Sequence, residues 1–300
     1  MKSIFLGTVT ILATALTAQA DTYVVSMKGP AAGNPYWAAF EAGALAKGEE
    51  AGVEVRVVAP PTEVAVQDQI NQIEDMIAQK VSGIALAPTD PNALAAVVDA
   101  AKAAGIPLVF VDGIGTNEGV PFVGTDNLKG GKLGGQYLCD NLEEGSEVAI
   151  LQGVMSTTNG QDRYNGAREV LEGCGMNIVA VQPADWDRAK AMSVTENILA
   201  GNPNIKGLFG SNDNMALGAI EALKAAAKLD EVVVVGYDAN PLAAVSILAG
   251  EMSASVAQAP KEMAALGIQT LIDMNAGKDV EMNVDPGTVL VTKENAEAYK

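Results

Sequence analysis

Polar and aromatic residues recur in one place along this chain, immediately after short apolar runs. Asn34, Tyr36 and Trp37 follow "TYVVSM", Asp90 follows "GIALAPT", and Asp112 follows "IPLVFV". Further on, Asp185-Trp186-Asp187-Arg188 follow "NIVAVQ", Asn212-Asp213 follow "IKGLFG", Asp238 follows "EVVVVG", and Gln258 closes "SASVAQ". Arg163 lies within "STTNGQDRYNGA". Carboxylates accept hydrogen bonds from hydroxyls, amides donate and accept, and a guanidinium donates a planar fork. Trp37 and Trp186 are the only tryptophans, and their indole planes suit the C–H faces of a ring. Together these groups point to a neutral, polyhydroxylated small molecule, with Tyr36 and Trp37 as one wall of its pocket.

Each residue also has a structural role open to it. Asn34, Asp90 and Asn212 precede helical patterns and read as N-caps, with or without a ligand contact. Asp112 ends a buried run, and "GIGTNEG" after it is no helix start. Asp238 is likewise not needed as a cap, because Asn240-Pro241 supplies one. A carboxylate at a sheet edge is costly unless solvated or bound, which favours a ligand role for both. Arg163 is either a solvated helix charge or a fork for ligand oxygens. The Tyr36-Trp37 pair is either a core anchor or a stacking surface.

Short Val/Ile/Leu runs alternate with helical stretches of 12–18 residues, the signature of a doubly wound α/β fold. The clearest helix runs through "VAVQDQINQIEDMIAQK", where Val66, Ile70, Ile73 and Ile77 form one stripe. Asn34-Pro35, Asp90-Pro91 and Asn240-Pro241 mark helix starts, and Asp126 and Asn212 sit where caps are expected. In such a fold ligands bind beyond the carboxyl ends of the strands, where the polar residues above fall. A loop and a short "PFVG" segment before Asp126 suggest a crossing between two lobes.

Three hundred residues, 49% hydrophobic, suffice for two cores. "MKSIFLGTVTILATALTAQA" has a lysine, an apolar run and an A-x-A end, so it reads as a secretory signal cut after Ala20. The chain carries a net charge of −18, and −19 once Lys2 is gone, which disfavours nucleic acid and anionic membranes as partners. No later run is long enough for membrane insertion. Histidine is absent, removing Ser-His-Asp and Cys-His catalysis and His-metal ligation. No P-loop, dinucleotide fingerprint, calcium loop or Cys/His metal spacing occurs, so neither cofactor nor metal is expected. Cys139 and Cys174 near successive helix ends are either a disulfide or two buried thiols.

The motifs "GNPYWAAFEAGA", "FVGTDNLKGGKLGGQYL", "QPADWDRAKAM", "SNDNMALGAIEAL", "VVVVGYDANP" and "VAQAPKEMAALG" occur in this order. On them the chain resembles the type I periplasmic sugar-binding proteins of ABC importers, close to the ribose-binding branch, along nearly its full length. The resemblance implies two lobes joined by three crossings and closing on a sugar in the cleft. Carried over, the sugar contacts fall on Asn34, Tyr36, Trp37, Asp112, Arg163, Trp186, Asn212, Asp238 and Gln258. It implies crossings near Gly124-Thr125, Gln258-Ala259 and Asp285-Gly287. The lobes would then comprise residues 21–124 with 259–285, and 125–258 with 286–300.

Three departures bear on the ligand. Ribose-binding members carry Asp-Arg where this chain has Asp112-Gly113, so a fork of donors to sugar hydroxyls is missing. The loop "MKGPAAGNPYW" is longer than in that branch, and Trp186 stands where phenylalanine is common. A different pentose, a hexose, a polyol or a modified sugar would each fit. The expected function is a monomeric periplasmic receptor that delivers its solute to a membrane permease without turnover. The alternatives are a protein presenting the ligand to a chemoreceptor or sensor kinase, a receptor for a signalling furanose, and a secreted glycosidase using Asp112 and Asp238.

Overall fold

The computed structural model describes residues 21–300. The export signal expected over residues 1–20, with its cleavage after Ala20, lies outside the described residues. Two six-stranded sheets organise the chain. The first has the order β11-β5-β4-β3-β1-β2, built from β1 (Thr22–Ser26), β2 (Glu54–Val58), β3 (Gly83–Leu86), β4 (Leu108–Val111), β5 (Phe122–Val123) and β11 (Asn283–Val284). All its pairings are parallel. The second has the order β12-β10-β9-β8-β6-β7, from β6 (Glu147–Gln152), β7 (Asn177–Pro183), β8 (Gly207–Gly210), β9 (Val233–Asp238), β10 (Ala254–Ala257) and β12 (Val289–Val291). Only β12 runs antiparallel, against β10.

Each sheet is covered on both faces, which is why its central strands read as unbroken apolar runs. In the first, Tyr23, Val25, Ala85 and Val109 pack under α1 (Pro35–Ala51) and α9 (Pro260–Asn275). The alternate residues Val24, Ile84, Leu86 and Leu108 pack under α2 (Val66–Gln79) and α3 (Ala95–Ala103). This is the period-2 division of a strand between two layers. In the second sheet, α4 (Asn127–Asn141) and α5 (Thr158–Gly173) take one face. The other is covered by α6 (Arg188–Gly201), α7 (Asp213–Ala225) and α8 (Pro241–Leu248). The result is two α/β lobes.

The chain passes between the sheets three times. β5 is in the first and α4 packs on the second; β10 is in the second and α9 packs on the first; β11 and β12 lie in different sheets. The strands β11 and β12 were not expected from sequence, being only two and three residues long.

Several helix starts follow the local chemistry. Asn34, Asp126, Asn212 and Asn240 each accept a backbone N–H in the first turn of the helix that follows. Asp90-Pro91 differs: the Asp90 carboxylate accepts from the N–H groups of Asn92 and Ala93, but this caps a turn, and α3 begins only at Ala95. Within α2, Ile73 and Met76 are buried and Val66, Ile70 and Ile77 half-buried, so the stripe includes Met76.

Two devices hold the strand ends where function is expected. Gln69 of α2 is fully buried; its Nε2 donates to Ser26 Oγ and to the carbonyls of Met27 and Ala87, and its Oε1 accepts from Thr89. One side chain thus ties the ends of β1 and β3 together. In the other lobe, Cys139 and Cys174 form a disulfide joining the ends of α4 and α5 across 35 residues of sequence. Closing a loop of that length stabilises by about 4 kcal/mol on a chain-entropy basis. α4 and α5 also approach closely through glycines: a Cβ on Gly131 would lie 2.4 Å from the Arg163 carbonyl oxygen, and one on Gly166 2.2 Å from that of Leu128.

Candidate ligand-binding site

The carboxyl ends of both sheets face one another across a cleft, and twelve residues wall a cavity between them. Nine of the ten site residues singled out from sequence line it: Asn34, Tyr36, Trp37 and Asp112 from one lobe, Arg163, Trp186, Asn212 and Asp238 from the other, and Gln258 at the second crossing. Asp90 is not among them, its carboxylate being engaged by its own turn. Lys28, Glu63 and Asn159 complete the lining and were not anticipated.

Asp112 has the partners that the sequence did not reveal. Lys28 Nζ stands 2.6 Å from its Oδ2, Tyr36 Oη donates to Oδ1 at 2.6 Å, and Asn159 Nδ2 approaches Oδ2 at 3.3 Å. Burial pushes the Asp112 carboxyl up, but the Lys28 ammonium and these hydrogen bonds outweigh it and hold it below its ordinary value. Burial and the adjacent Asp112 charge push the Tyr36 hydroxyl well up, so it stays a donor.

The backbone at Asp112 is strained. It has φ 61°, and the Gly113 N–H donates to the Val111 carbonyl at 2.6 Å, forming a three-residue turn at the strand end. Asp185, Trp186, Asp238 and Ala239 are also left-handed, with φ of 51°, 64°, 109° and 49°. Such conformations cost about 1–3 kcal/mol each in residues other than glycine and cluster where side chains must be aimed. Here they bracket the cleft.

Arg163 anchors the other wall. Its guanidinium lies 3.9 Å from the centroid of the Tyr237 ring and 5.3 Å from that of Trp186. Nε donates to Asn127 Oδ1 at 2.8 Å, and Nη1 donates to the Ser211 carbonyl at 3.0 Å and reaches Asp238 Oδ1 at 3.4 Å. Gln258 Nε2 donates to the same Asp238 oxygen at 2.7 Å. Burial pushes the Asp238 carboxyl up to about 7, against the lowering by Arg163 and Gln258. Behind it Asp213 is fully buried and accepts from Ser255 Oγ at 2.6 Å and the Asn240 N–H at 2.8 Å. Burial and the nearby Asp238 push its carboxyl well up.

The aromatic pair serves as both anchor and wall. Trp37 is 2% exposed and meets Tyr36 and Phe40 edge to face, yet it borders the cavity, and its Nε1 donates to Glu63 Oε1 at 2.7 Å. Burial raises the Glu63 carboxyl despite Lys28 and this hydrogen bond. Trp186 lies flush on Gly153, where a Cβ would come within 1.9 Å of the indole. Residues 30–35 of the long first loop face Asp185–Ala189 across the cleft mouth.

The missed residues left weak traces. Lys28 lies two residues past β1 and Glu63 five past β2, on the same carboxyl edge as the others. Asn159 sits one helical turn before Arg163 on α5, hence on the same face.

Capacity for further hydrogen bonds remains in the cavity wall. Gln258 Oε1 is buried without a partner. Asn212 uses Oδ1 to cap α7, leaving Nδ2 for the cavity. The site therefore offers donors and acceptors side by side between aromatic walls, which suits a molecule whose groups do both. Among the described residues no cluster of His, Cys, Asp or Glu is arranged to hold a metal, and no helix is long and apolar enough to cross a membrane.

The comparisons with known proteins agree with this geometry. Residues 24–279 match the family model described as the periplasmic binding protein domain. The D-allose-binding periplasmic protein of Escherichia coli is 37% identical over 293 residues, covering 94% of this chain and 93% of its own. The D-ribose/D-allose-binding protein of Pseudomonas aeruginosa is 38% identical, with 74% and 72% covered. An ABC transporter periplasmic solute-binding protein from Actinobacillus succinogenes, solved with bound D-allose, superposes with a TM-score of 0.88. It is 31% identical, with 93% of this chain and all of that one covered. By family model, sequence and fold alike, the chain belongs to the periplasmic binding proteins.

Proposed function

We propose that this protein is the periplasmic receptor of an ABC importer for a neutral aldose of the D-allose type, captured by closure of the two lobes. The observation that carries this reading is the interlobe cavity itself. It sets the unpartnered acceptor Gln258 Oε1 and the acidic Asp238 and Glu63 among the donors Lys28, Arg163 and Asn212, beside the indoles of Trp37 and Trp186. A hydroxyl can accept from one of these groups while donating to another, so a sugar ring satisfies both sets at once. The ligand carried by the similar Actinobacillus protein, and the names of the relatives, point to the same sugar.

Lys28 and Glu63 add polar groups to the end of the cavity near Asp112, which supports a hexose over ribose. We assign residues 21–124 with 259–285 to one lobe and 125–258 with 286–300 to the other. The sheet membership of β5, β10, β11 and β12 supports these limits. Ligand contacts shared by both lobes would favour the closed arrangement, which a membrane permease then recognises. The receptor would act as a monomer in the periplasm and return its sugar unchanged.

Thermal unfolding of the mature protein with a panel of aldoses, polyols and amino acids tests this. A ligand at a hundred times its dissociation constant adds about 2.7 kcal/mol of stability. D-allose should raise the midpoint more than D-ribose does, and amino acids should not raise it. A shift with amino acids alone, or with nothing in the panel, would contradict the proposal.

A further inference from the structure

Asn159 lines the cleft but differs from its neighbours there, because its amide is engaged with the opposite lobe. It lies on α5 and is 2% exposed. Its Oδ1 accepts from Lys28 Nζ at 2.8 Å, and its Nδ2 donates to the Asp112 carbonyl oxygen at 2.9 Å and approaches Asp112 Oδ2 at 3.3 Å. Lys28 and Asp112 follow β1 and β4 of the first sheet, 131 and 47 positions away in sequence. They form their own ion pair within that lobe, 2.6 Å apart and 3% exposed at each side chain. The Asn159 amide therefore docks onto a pair already assembled.

Gly113 makes room for this contact. A Cβ there would stand 2.8 Å from Asn159 Oδ1 and 3.2 Å from Lys28 Nζ, so a side chain at 113 and the docked amide compete for one space. The glycine that removes an arginine from the end of β4 also admits Asn159.

We propose that Asn159 is a latch between the lobes that sets sugar affinity through the closed population and not through contact with the sugar. The inference rests on the closure reading above. Apparent affinity falls in proportion to the fraction of protein able to adopt the binding-competent state. A contact made only between the lobes changes that fraction identically for every ligand. A residue touching the sugar would instead change affinities unequally, according to which hydroxyl it meets.

The test is calorimetric titration of D-allose, D-ribose and one further aldose into wild type, Asn159→Ala and Gly113→Ala. Circular dichroism and ligand-free melting would confirm that each variant is folded. A hydrogen bond to a charged group is worth enough to give about a tenfold loss or more. Both variants should weaken every sugar that binds by one common factor of about that size, with the ratio between sugars unchanged. The ligand-free melting midpoint of Asn159→Ala should stay near that of wild type, since separated lobes do not make the contact. Gly113→Ala provides a second route to the same loss, because it wedges the latch without removing the amide.

If Asn159→Ala changes the ratio between sugars more than about threefold, the residue reads the ligand and the latch is wrong. If affinities are unchanged in both variants, the contact does not govern closure and the latch is wrong as well. Wild-type protein that binds no sugar would overturn the receptor reading, and the latch with it. Wild type that binds, with variants that behave as in either case above, would overturn the latch alone.

Discussion

Lys28→Met would expose how the carboxylate at the end of β4 is held. The lysine is 3% exposed and its ammonium is the only cation within bonding distance of Asp112 among the described residues. Methionine keeps much of the apolar stem but leaves the carboxylate with the Tyr36 hydroxyl at 2.6 Å and the Asn159 amide at 3.3 Å. Removing one partner of a buried ion pair costs about 3–5 kcal/mol, because a charge is left uncompensated. Lys28 and Asp112 belong to the same lobe, so the cost should appear without ligand. With the ammonium gone, burial would dominate and lift the Asp112 carboxyl from below its ordinary value to above it.

The native variant would then bind a proton that its unfolded chain releases. Its deficit should shrink on acidification from neutral to about pH 5. In the double variant Lys28→Met/Asp112→Asn no buried charge remains, and most of the loss should be recovered. Urea unfolding followed by circular dichroism gives both numbers. A single-variant cost below about 1 kcal/mol, or a double variant no more stable than the single one, would refute this reasoning.

Gly153→Ala should push the Trp186 indole out of place at a cost of about 1–3 kcal/mol, since its Cβ would stand 1.9 Å from the ring. In a Trp37→Phe background, where Trp186 is the sole tryptophan, this should appear as altered tryptophan emission on excitation near the red edge and weaker sugar binding. Asp90→Ala should lower stability by about 0.5–2 kcal/mol through the lost turn cap and leave sugar affinity unchanged, as a titration would show. Asp238 rises from 3.8 to about 7 on folding, so the native state holds a proton that the unfolded state lacks between those values. Stability from this group should therefore fall as pH rises from about 4 to about 7, and Asp238→Asn should flatten that slope in melting curves. Asp112, held below its ordinary value, works the other way: its contribution is present above about pH 4 and is lost as pH falls through its lowered native value.

The strand-end positions of the cleft residues were legible because a parallel sheet covered on both faces leaves only its carboxyl edge for polar side chains. That geometry assigned Trp186, Asn212, Asp238 and Gln258 to one place before any contact was known. It could not say what the carboxylates touch. Asp112 looked solitary because its cation lies 84 positions earlier in the chain, and nothing local marks Lys28 as buried. Asp90 was included on the same positional argument, yet its side chain bonds to the two N–H groups nearest to it, a local competition that sequence alone leaves open. The disulfide was undecidable for a related reason: it depends on how closely α4 and α5 approach, which the glycines at 131, 135 and 166 permit. β11 and β12 were missed because two or three residues carry no periodicity.

Calorimetric titration of D-allose into wild type and Arg163→Met tests the proposal that one aldose is held in the interlobe cavity by groups from both walls. Arg163 joins the Asp238 wall to Trp186 and is 4% exposed, so its loss removes donors that water cannot replace in the closed cleft. Wild type should bind saturably and one to one, and the variant should not bind at the same concentrations. Absence of binding to wild type, or undiminished binding to a folded Arg163→Met, would contradict the proposal.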